Sequence, residues 1–113
     1  MGRLERQDLF PGALEMMVLQ TLRQAPLHGY ALAQAIQRAS DDALRIEEGS
    51  LYPALQRMLK AGWIKAQWGL SDRNREVRTY ELTAKGRRQL DKKVAAFDTM
   101  LTAIVRVMQP RKS

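Results

Sequence analysis

The chain has 113 residues, of which 45% are hydrophobic, and it contains no cysteine. This length supports one modest domain, and the lack of cysteine excludes a disulfide framework and a thiolate metal site. No apolar run approaches the length that spans a bilayer, and residues 1–8 lack the apolar core of a signal peptide. We therefore expect a cytoplasmic protein with no membrane partner.

The net charge of +7 is unevenly spread along the chain. Residues 1–56 hold 5 Lys/Arg and 7 Asp/Glu, whereas residues 57–113 hold 14 Lys/Arg and 5 Asp/Glu, so the two parts carry −2 and +9. A basic region on a small domain attracts polyanions, first nucleic acid and second an anionic membrane surface. Charge alone does not separate these two partners.

Two amphipathic helices are predicted in the first part of the chain. Apolar residues at helical spacing predict one helix over residues 12–24 and another from His28 to about Ser40. Gln34 faces outward on the second helix and is a candidate DNA contact. The acidic connector at residues 41–48 lacks the ligand spacing of a calcium loop, so helix capping and solvation explain its carboxylates.

The third helix has a marked start and a marked end. Ser50 is predicted as the N-cap, with Pro53 in the first turn and Gly62 in the left-handed conformation just past the end. Apolar residues at positions i, i+4, i+7 and i+8 predict one buried face, formed by Leu51, Leu55, Met58 and Leu59. The side chains predicted to face outward are Tyr52, Pro53, Gln56, Arg57 and Lys60.

The outward face of this helix has two interpretations. It could be a solvated surface, which is the usual state of a polar helix face. It could also be a recognition helix in the major groove of DNA, where Gln and Arg reach base edges while Lys and Tyr reach phosphate. The helix alone favours the first interpretation, and the elements that follow it favour the second.

A hairpin with a basic tip follows the third helix. Residues 63–68 and 76–82 alternate or are rich in strand-forming residues, and the turn-rich segment 69–75 joins them. Arg73 and Arg75 lie in the tip and Arg78 lies in the second strand. These arginines are candidate DNA contacts.

The last predicted helix begins after Thr83, a natural N-cap, and ends before Pro110. Its apolar positions are separated by 4, 3, 4, 3 and 4 residues, which is a heptad stripe. The stripe consists of Leu90, Val94, Phe97, Leu101, Ile104 and Met108. It could pack on its own domain, but it continues beyond the preceding compact unit, so we favour a second copy of the chain as its partner.

Three helices, a hairpin and a long helix form the order of a winged helix-turn-helix. The expected fold class is mainly α (α+β), with helices and one small antiparallel sheet. We expect a flexible segment at 1–8, a DNA-binding domain at 9–86, a dimerisation helix at 87–109 and a tail at 110–113. The predicted contacts to double-stranded DNA are Gln34, Ser50, Tyr52, Pro53, Gln56, Arg57, Lys60, Arg73, Arg75 and Arg78.

Several motifs also resemble the PadR family of transcriptional regulators. They cover about residues 9–90 in unbroken order, and together they are more specific than any one alone. The motifs are Pro11-Gly12 through Leu22, His28-Gly29-Tyr30-Ala31-Leu32, Glu48-Gly49-Ser50-Leu51-Tyr52-Pro53-Ala54-Leu55, Gly62-Trp63-Ile64 and Arg78-Thr79-Tyr80-Glu81-Leu82-Thr83-Ala84-Lys85-Gly86. The family is bacterial and archaeal, folds as a winged helix and dimerises through its C-terminal helix.

The resemblance implies a repressor, since most members repress transcription, and some members respond to small-molecule effectors. It assigns Ser50, Tyr52 and Pro53 to the recognition-helix signature, Arg78 and Tyr80 to the second wing strand, and Tyr30 to the start of the second helix. Asn74-Arg75-Glu76-Val77 replaces the Gly-x-Pro that often occurs in the wing. The single C-terminal helix resembles the short form of the family.

Catalysis has little support in this sequence. There is one histidine, His28, which is better placed to cap or pack than to act as a base, and no cofactor or metal motif occurs. Two other classes remain as alternatives: a dimeric protein-interaction adaptor and a peripheral binder of anionic surfaces. Trp63, Trp68 and Phe97 either line an effector pocket at the dimer interface or serve ordinary packing.

Overall fold

The computed structural model describes residues 9–10 and 12–109. The predicted flexible segment 1–8, Pro11 of the first motif and the tail at 110–113 lie outside these residues. The described elements follow one another as α1 Ala13–Gln24, β1 Leu27–His28, α2 Gly29–Ala39, α3 Glu48–Ala61, β2 Ile64–Leu70, β3 Glu76–Leu82 and α4 Ala84–Met108. This order confirms the predicted winged helix-turn-helix.

The sheet has three antiparallel strands in the order β1-β3-β2. The predicted hairpin forms, with Ile64 opposite Leu82 and Leu70 opposite Glu76. The third strand, β1, was not predicted, because two residues are too few to show alternation. β1 ties the segment before α2 to β3, and the side chain of His28 caps α2 by accepting a hydrogen bond from the backbone N–H of Ala31.

The predicted start of α3 was wrong by one turn. The helix begins at Glu48 with Glu47 as its N-cap, so Ser50 lies inside the first turn and donates its backbone N–H to the Glu47 carbonyl. Two carboxylates at this end are favoured by the helix dipole. Pro53 is consequently the sixth helical residue, where its missing N–H removes a bond to the Gly49 carbonyl. The predicted end is confirmed, because Gly62 has a φ of 79°.

The core draws on all four helices and the sheet. Leu51, Leu55 and Met58 are buried on the inward face of α3, as predicted, and Ala54 joins them, whereas Leu59 is only half-buried. Leu19 and Leu22 from α1, Leu32 and Ile36 from α2, and Ile64 and Tyr80 from the sheet pack against this face. α1, α2 and the sheet therefore hold α3 through its buried face, and the opposite face of α3 is open to solvent.

The long helix α4 leaves the domain after its first turns. Thr83 caps its start, accepting a hydrogen bond from the Gly86 N–H at 3.0 Å, as predicted. Leu90 is fully buried in the core of its own chain. The assignment of Leu90 to a dimer seam is therefore corrected, because this side chain has no surface left to offer a partner. Val94, Leu101 and Ile104 are 38–43% exposed, and Met108 is 75% exposed.

Candidate nucleic-acid interface

The outward face of α3 has a central line and two flanks. Tyr52, Pro53, Gln56, Arg57 and Lys60 are all exposed, as predicted. At 3.6 residues per turn, the centre of this face is formed by Gly49, Pro53, Gln56 and Lys60, while Tyr52 and Arg57 lie on opposite flanks. Ser50 is half-buried beside the Arg57 flank. Gln56 and Lys60 thus project furthest from the core.

Tyr52 forms the flank that leans on α2. A β-carbon at Gly29 would lie 2.8 Å from the Tyr52 hydroxyl oxygen, so the glycine lets the ring pack closely against α2. Burial raises the pKa of Tyr52, and the charges of Glu48 and Tyr80 add to this rise. The phenol therefore stays neutral at physiological pH and can donate a hydrogen bond from its half-exposed edge.

Arg57 forms the other flank and is bound to α1. Its Nη2 donates a hydrogen bond to Oε1 of Glu15 at 2.7 Å. Burial alone would raise the pKa of Glu15, but the hydrogen bond from Arg57 and the nearby positive charges of Arg57 and Lys93 together lower it. The ion pair is thus formed at neutral pH. Sequence analysis missed Glu15, because 42 residues separate the two partners.

The wing tip is a five-residue loop, residues 71–75, between β2 and β3. Ser71 N–H donates to the Arg75 carbonyl at 2.8 Å, and the left-handed Asn74, with a φ of 60°, completes the turn. Arg73 and Arg75 are exposed, and neither has an ion-pair partner among the described residues. The tip therefore presents two arginines without an ion-pair contact, beside the exposed Asp72.

Arg78 and Trp68 lie on the same face of the hairpin as the buried Ile64 and Tyr80, further towards the tip. Arg78 lies opposite Trp68 in the ladder, and its guanidinium carbon lies 5.9 Å from the ring centre of Tyr80. Trp68 is 69% exposed, beyond the edge of the core. An exposed aromatic ring beside an arginine suits contact with a sugar-phosphate backbone. Trp68 was not predicted as a DNA contact. Ile64, Ala66 and Trp68 occupy alternate positions of the strand, so their spacing already places Trp68 on the same face as the buried Ile64.

The predicted residues on the other elements are dispersed. Gln34 is exposed on the outer side of α2. Trp63 lies under Lys93, whose Nζ is 5.2 Å from the ring centre, and Phe97 packs edge-on against Phe10 with ring centres 6.2 Å apart. Trp63 and Phe97 thus make separate packing contacts, and Trp68 lies exposed on the wing. This dispersal argues against a pocket shared by the three aromatic residues.

A cavity of about 390 Å³ lies between α1, the connector and the start of α3. Its walls combine apolar residues, including Phe10, Leu14 and Ile46, with the charged groups of Arg45 and Arg57. Within residues 9–10 and 12–109 no group of three or more potential metal ligands occurs. Over the same residues, no helix is both long and apolar enough to cross a membrane.

Comparison with solved structures places this fold among regulators of transcription. A transcriptional regulator from Clostridium thermocellum superposes with a TM-score of 0.81 at 23% identity, over 88% of this chain and 96% of that one. A PadR-like transcriptional regulator from Bacillus cereus gives 0.75 at 27% identity, over 89% and 96%. A PadR family transcriptional regulator from Eggerthella lenta gives 0.76 at 27% identity, over 89% and 86%.

The family assignment comes from a direct match to a family model. Residues 18–92 match the transcriptional regulator PadR-like family, which is a family of regulators and not of enzymes. The match runs from α1 through α3 and the wing into the first turns of α4. The chain therefore belongs to the PadR-like family of transcriptional regulators.

Proposed function

We propose that the protein is a sequence-specific repressor that binds an inverted-repeat operator as a homodimer in the cytoplasm. The observation that carries this proposal is the exposed line of Gln56 and Lys60 on α3, beside a wing tip with two unpaired arginines. α3 lies in the major groove, where Gln56 can bond an adenine edge in a bidentate manner and Lys60 can reach a phosphate. The wing contacts the adjacent backbone through Arg73, Arg75 and Arg78.

The homodimer is supported by the free apolar face of α4. Val94, Leu101 and Ile104 are each more than a third exposed, at heptad spacing, on a helix of 25 residues. Phe97 and Met108 lie on the same stripe. Facing stripes of this kind bury each other in coiled-coil packing. We keep residues 9–86 as the DNA-binding unit and 87–109 as the dimerisation helix in this proposal.

The 390 Å³ cavity supports a small-molecule effector. Gly49, Ser50, Pro53 and Arg57 of α3 line it, so a ligand bound there contacts the proposed recognition helix itself. A ligand with different affinities for the free and the DNA-bound protein shifts the equilibrium between them. Its size range is that of ordinary small-molecule sites.

The proposed docking predicts different roles for Gln56 and the wing arginines. Gln56→Ala should reduce discrimination between operator and unrelated DNA by about 1–3 kcal/mol, since a base contact is lost. Arg73→Ala should weaken both complexes alike and reduce the salt slope by about one, since a phosphate contact carries no sequence information. Titrations with both duplexes measure these effects. The proposed docking would be wrong if Arg73→Ala reduced the discrimination between operator and unrelated DNA while Gln56→Ala left it unchanged.

Gly49 provides a test that separates binding from folding. It is exposed at the second position of α3, and a β-carbon there would have nothing within 4 Å. Gly49→Ala should therefore raise the free energy of unfolding by about 0.5–1 kcal/mol, because alanine favours helix. The added methyl group lies on the central line, so DNA binding should weaken. Chemical denaturation and operator titration measure the two effects, and binding unchanged from the wild type would mean that Gly49 does not approach DNA.

Selection from a random-sequence duplex pool tests the proposal as a whole. The recovered duplexes should share an inverted repeat whose half-sites lie about one helical turn, or a multiple of it, apart. Recovery of single half-sites would contradict the dimeric part of the proposal. Recovery without any shared sequence would instead favour a binder of anionic surfaces.

A further inference from the structure

The Glu15–Arg57 pair places a carboxylate of α1 against the recognition helix. The two side chains differ in environment, because Glu15 is 16% exposed and Arg57 is 62% exposed. Lys93 of α4 adds a second positive charge near Glu15. In the free protein, the carboxylate is therefore mostly covered and depends on Arg57 for its close hydrogen bond.

We propose that Glu15 withholds Arg57 from DNA until a specific site is bound, which makes Glu15 a specificity-determining residue. This inference rests on the proposed DNA-binding function. According to this proposal, Arg57 contacts DNA in the operator complex and does not contact DNA in complexes with unrelated sequences. Glu15 does not touch DNA and acts only through the guanidinium of Arg57.

Arg57 leaves Glu15 only where its new contact with DNA outweighs the cost to the Glu15 carboxylate. A phosphate contact at a solvent-exposed position is weak, because water and salt screen it. Leaving Glu15 would remove the ion-pair partner of a mostly covered carboxylate and leave it a backbone hydrogen bond and the more distant charge of Lys93, which is costly. A phosphate alone therefore does not compensate for breaking the pair.

A base edge offers Arg57 more than a phosphate does. The guanidinium can form two parallel hydrogen bonds to O6 and N7 of a guanine, in a groove from which much of the water is displaced. Arg57 lies on the flank of α3 next to Pro53, one residue from Gln56, so a modest side-chain rotation carries it towards the same groove. Only a correctly placed guanine then draws Arg57 away from Glu15.

Four proteins test this inference: the wild type, Glu15→Gln, Arg57→Ala and the double variant. Each is titrated at several salt concentrations with the selected inverted-repeat duplex and with a duplex of scrambled sequence. Arg57→Ala should bind the scrambled duplex like the wild type and the selected duplex about 5–150-fold more weakly. Glu15→Gln should bind the scrambled duplex more tightly, with a salt slope steeper by about one. The double variant should lose that gain.

Glu81→Gln is the matched control for loss of a carboxylate. Glu81 pairs with Lys65 at 3.7 Å on the wing strands, away from Arg57. Its removal should not steepen the salt slope as Glu15→Gln does. The inference would be overturned if Glu15→Gln raised the affinity for the scrambled duplex equally in the wild type and in Arg57→Ala. The effect would then come from the loss of a negative charge and not from the release of Arg57.

Equal weakening of both duplexes by Arg57→Ala would also overturn it, since Arg57 would then be an ordinary phosphate contact. This arm does not depend on the folding of Glu15→Gln. Because Arg57→Ala leaves Glu15 without its ion-pair partner, chemical denaturation first establishes that Arg57→Ala is folded. Failure of the proposed function is distinguishable, since the wild type itself would then not prefer the selected duplex.

Discussion

Replacing Leu101 with aspartate is expected to convert the protein into a monomer. Leu101 is 43% exposed in the protomer and lies between Phe97 and Ile104 on the α4 stripe. A charge buried in that seam without a partner costs about 3 kcal/mol or more for each copy. The monomer retains one recognition helix, so operator affinity should fall at least about 100-fold as the second half-site is lost. Sedimentation and operator titration measure both effects.

Ala103→Asp is the matched control for this prediction. It places the same charge two residues away, on the opposite side of α4, where Ala103 is exposed. The control should remain dimeric and keep its affinity. A Leu101→Asp protein that sediments as a dimer, or a wild type that is monomeric at micromolar concentration and still binds fully, would contradict the proposed assembly.

Gly86→Ala is expected to have the largest effect on folding. Gly86 is buried, and a β-carbon there would lie 1.9 Å from the Trp63 carbonyl oxygen and 2.8 Å from Cδ1 of Leu82. The carbonyl cannot move away freely, since the N–H of Thr83 donates to it at 3.1 Å. The Thr83 hydroxyl shares its one proton between this carbonyl, at 3.0 Å, and that of Gly62, at 2.7 Å. The free energy of unfolding should therefore fall by about 3 kcal/mol or more, beyond ordinary overpacking. Chemical denaturation measures this loss.

Gly69→Ala provides the comparison in the same fold. A β-carbon at Gly69 on β2 would have nothing within 4 Å, so this substitution should change stability by less than about 1 kcal/mol. Gly86→Ala within about 1 kcal/mol of the wild type would show that α4 can shift away from the turn at Trp63. Such a shift would weaken the account of how α4 is anchored to the domain.

Local sequence signals predicted the parts of the fold that local chemistry determines. The spacing of Leu51, Leu55 and Met58 gave the buried face of α3, and Thr83 and Gly62 behave as the predicted cap and left-handed residue. The start of α3 was misplaced because Ser50 is a stronger statistical N-cap than Glu47. In the fold, the backbone N–H groups of Ser50 and Leu51 donate to the Glu47 carbonyl, so the helix begins N-terminal to Ser50.

Long-range contacts explain the features that the sequence did not reveal. β1 is a strand only because Leu27 and His28 meet β3. Leu90 satisfies the heptad pattern as well as Leu101 does, but its position over the core decides its burial, which periodicity cannot express. The Glu15–Arg57 pair likewise depends on how α1 and α3 cross. The candidate site was therefore predictable as a set of outward residues and not as a network.

The most direct test of the central claim is the salt dependence of binding to the region upstream of the protein's own gene. The proposed repressor function, together with the self-repression that the family resemblance implies, predicts an operator in this region. Anisotropy titrations at several salt concentrations should show tight binding, a steep fall with salt and a clear preference over a permuted fragment of equal composition. Equal affinity for both fragments, or no binding even at low salt, would contradict a sequence-specific DNA-binding function.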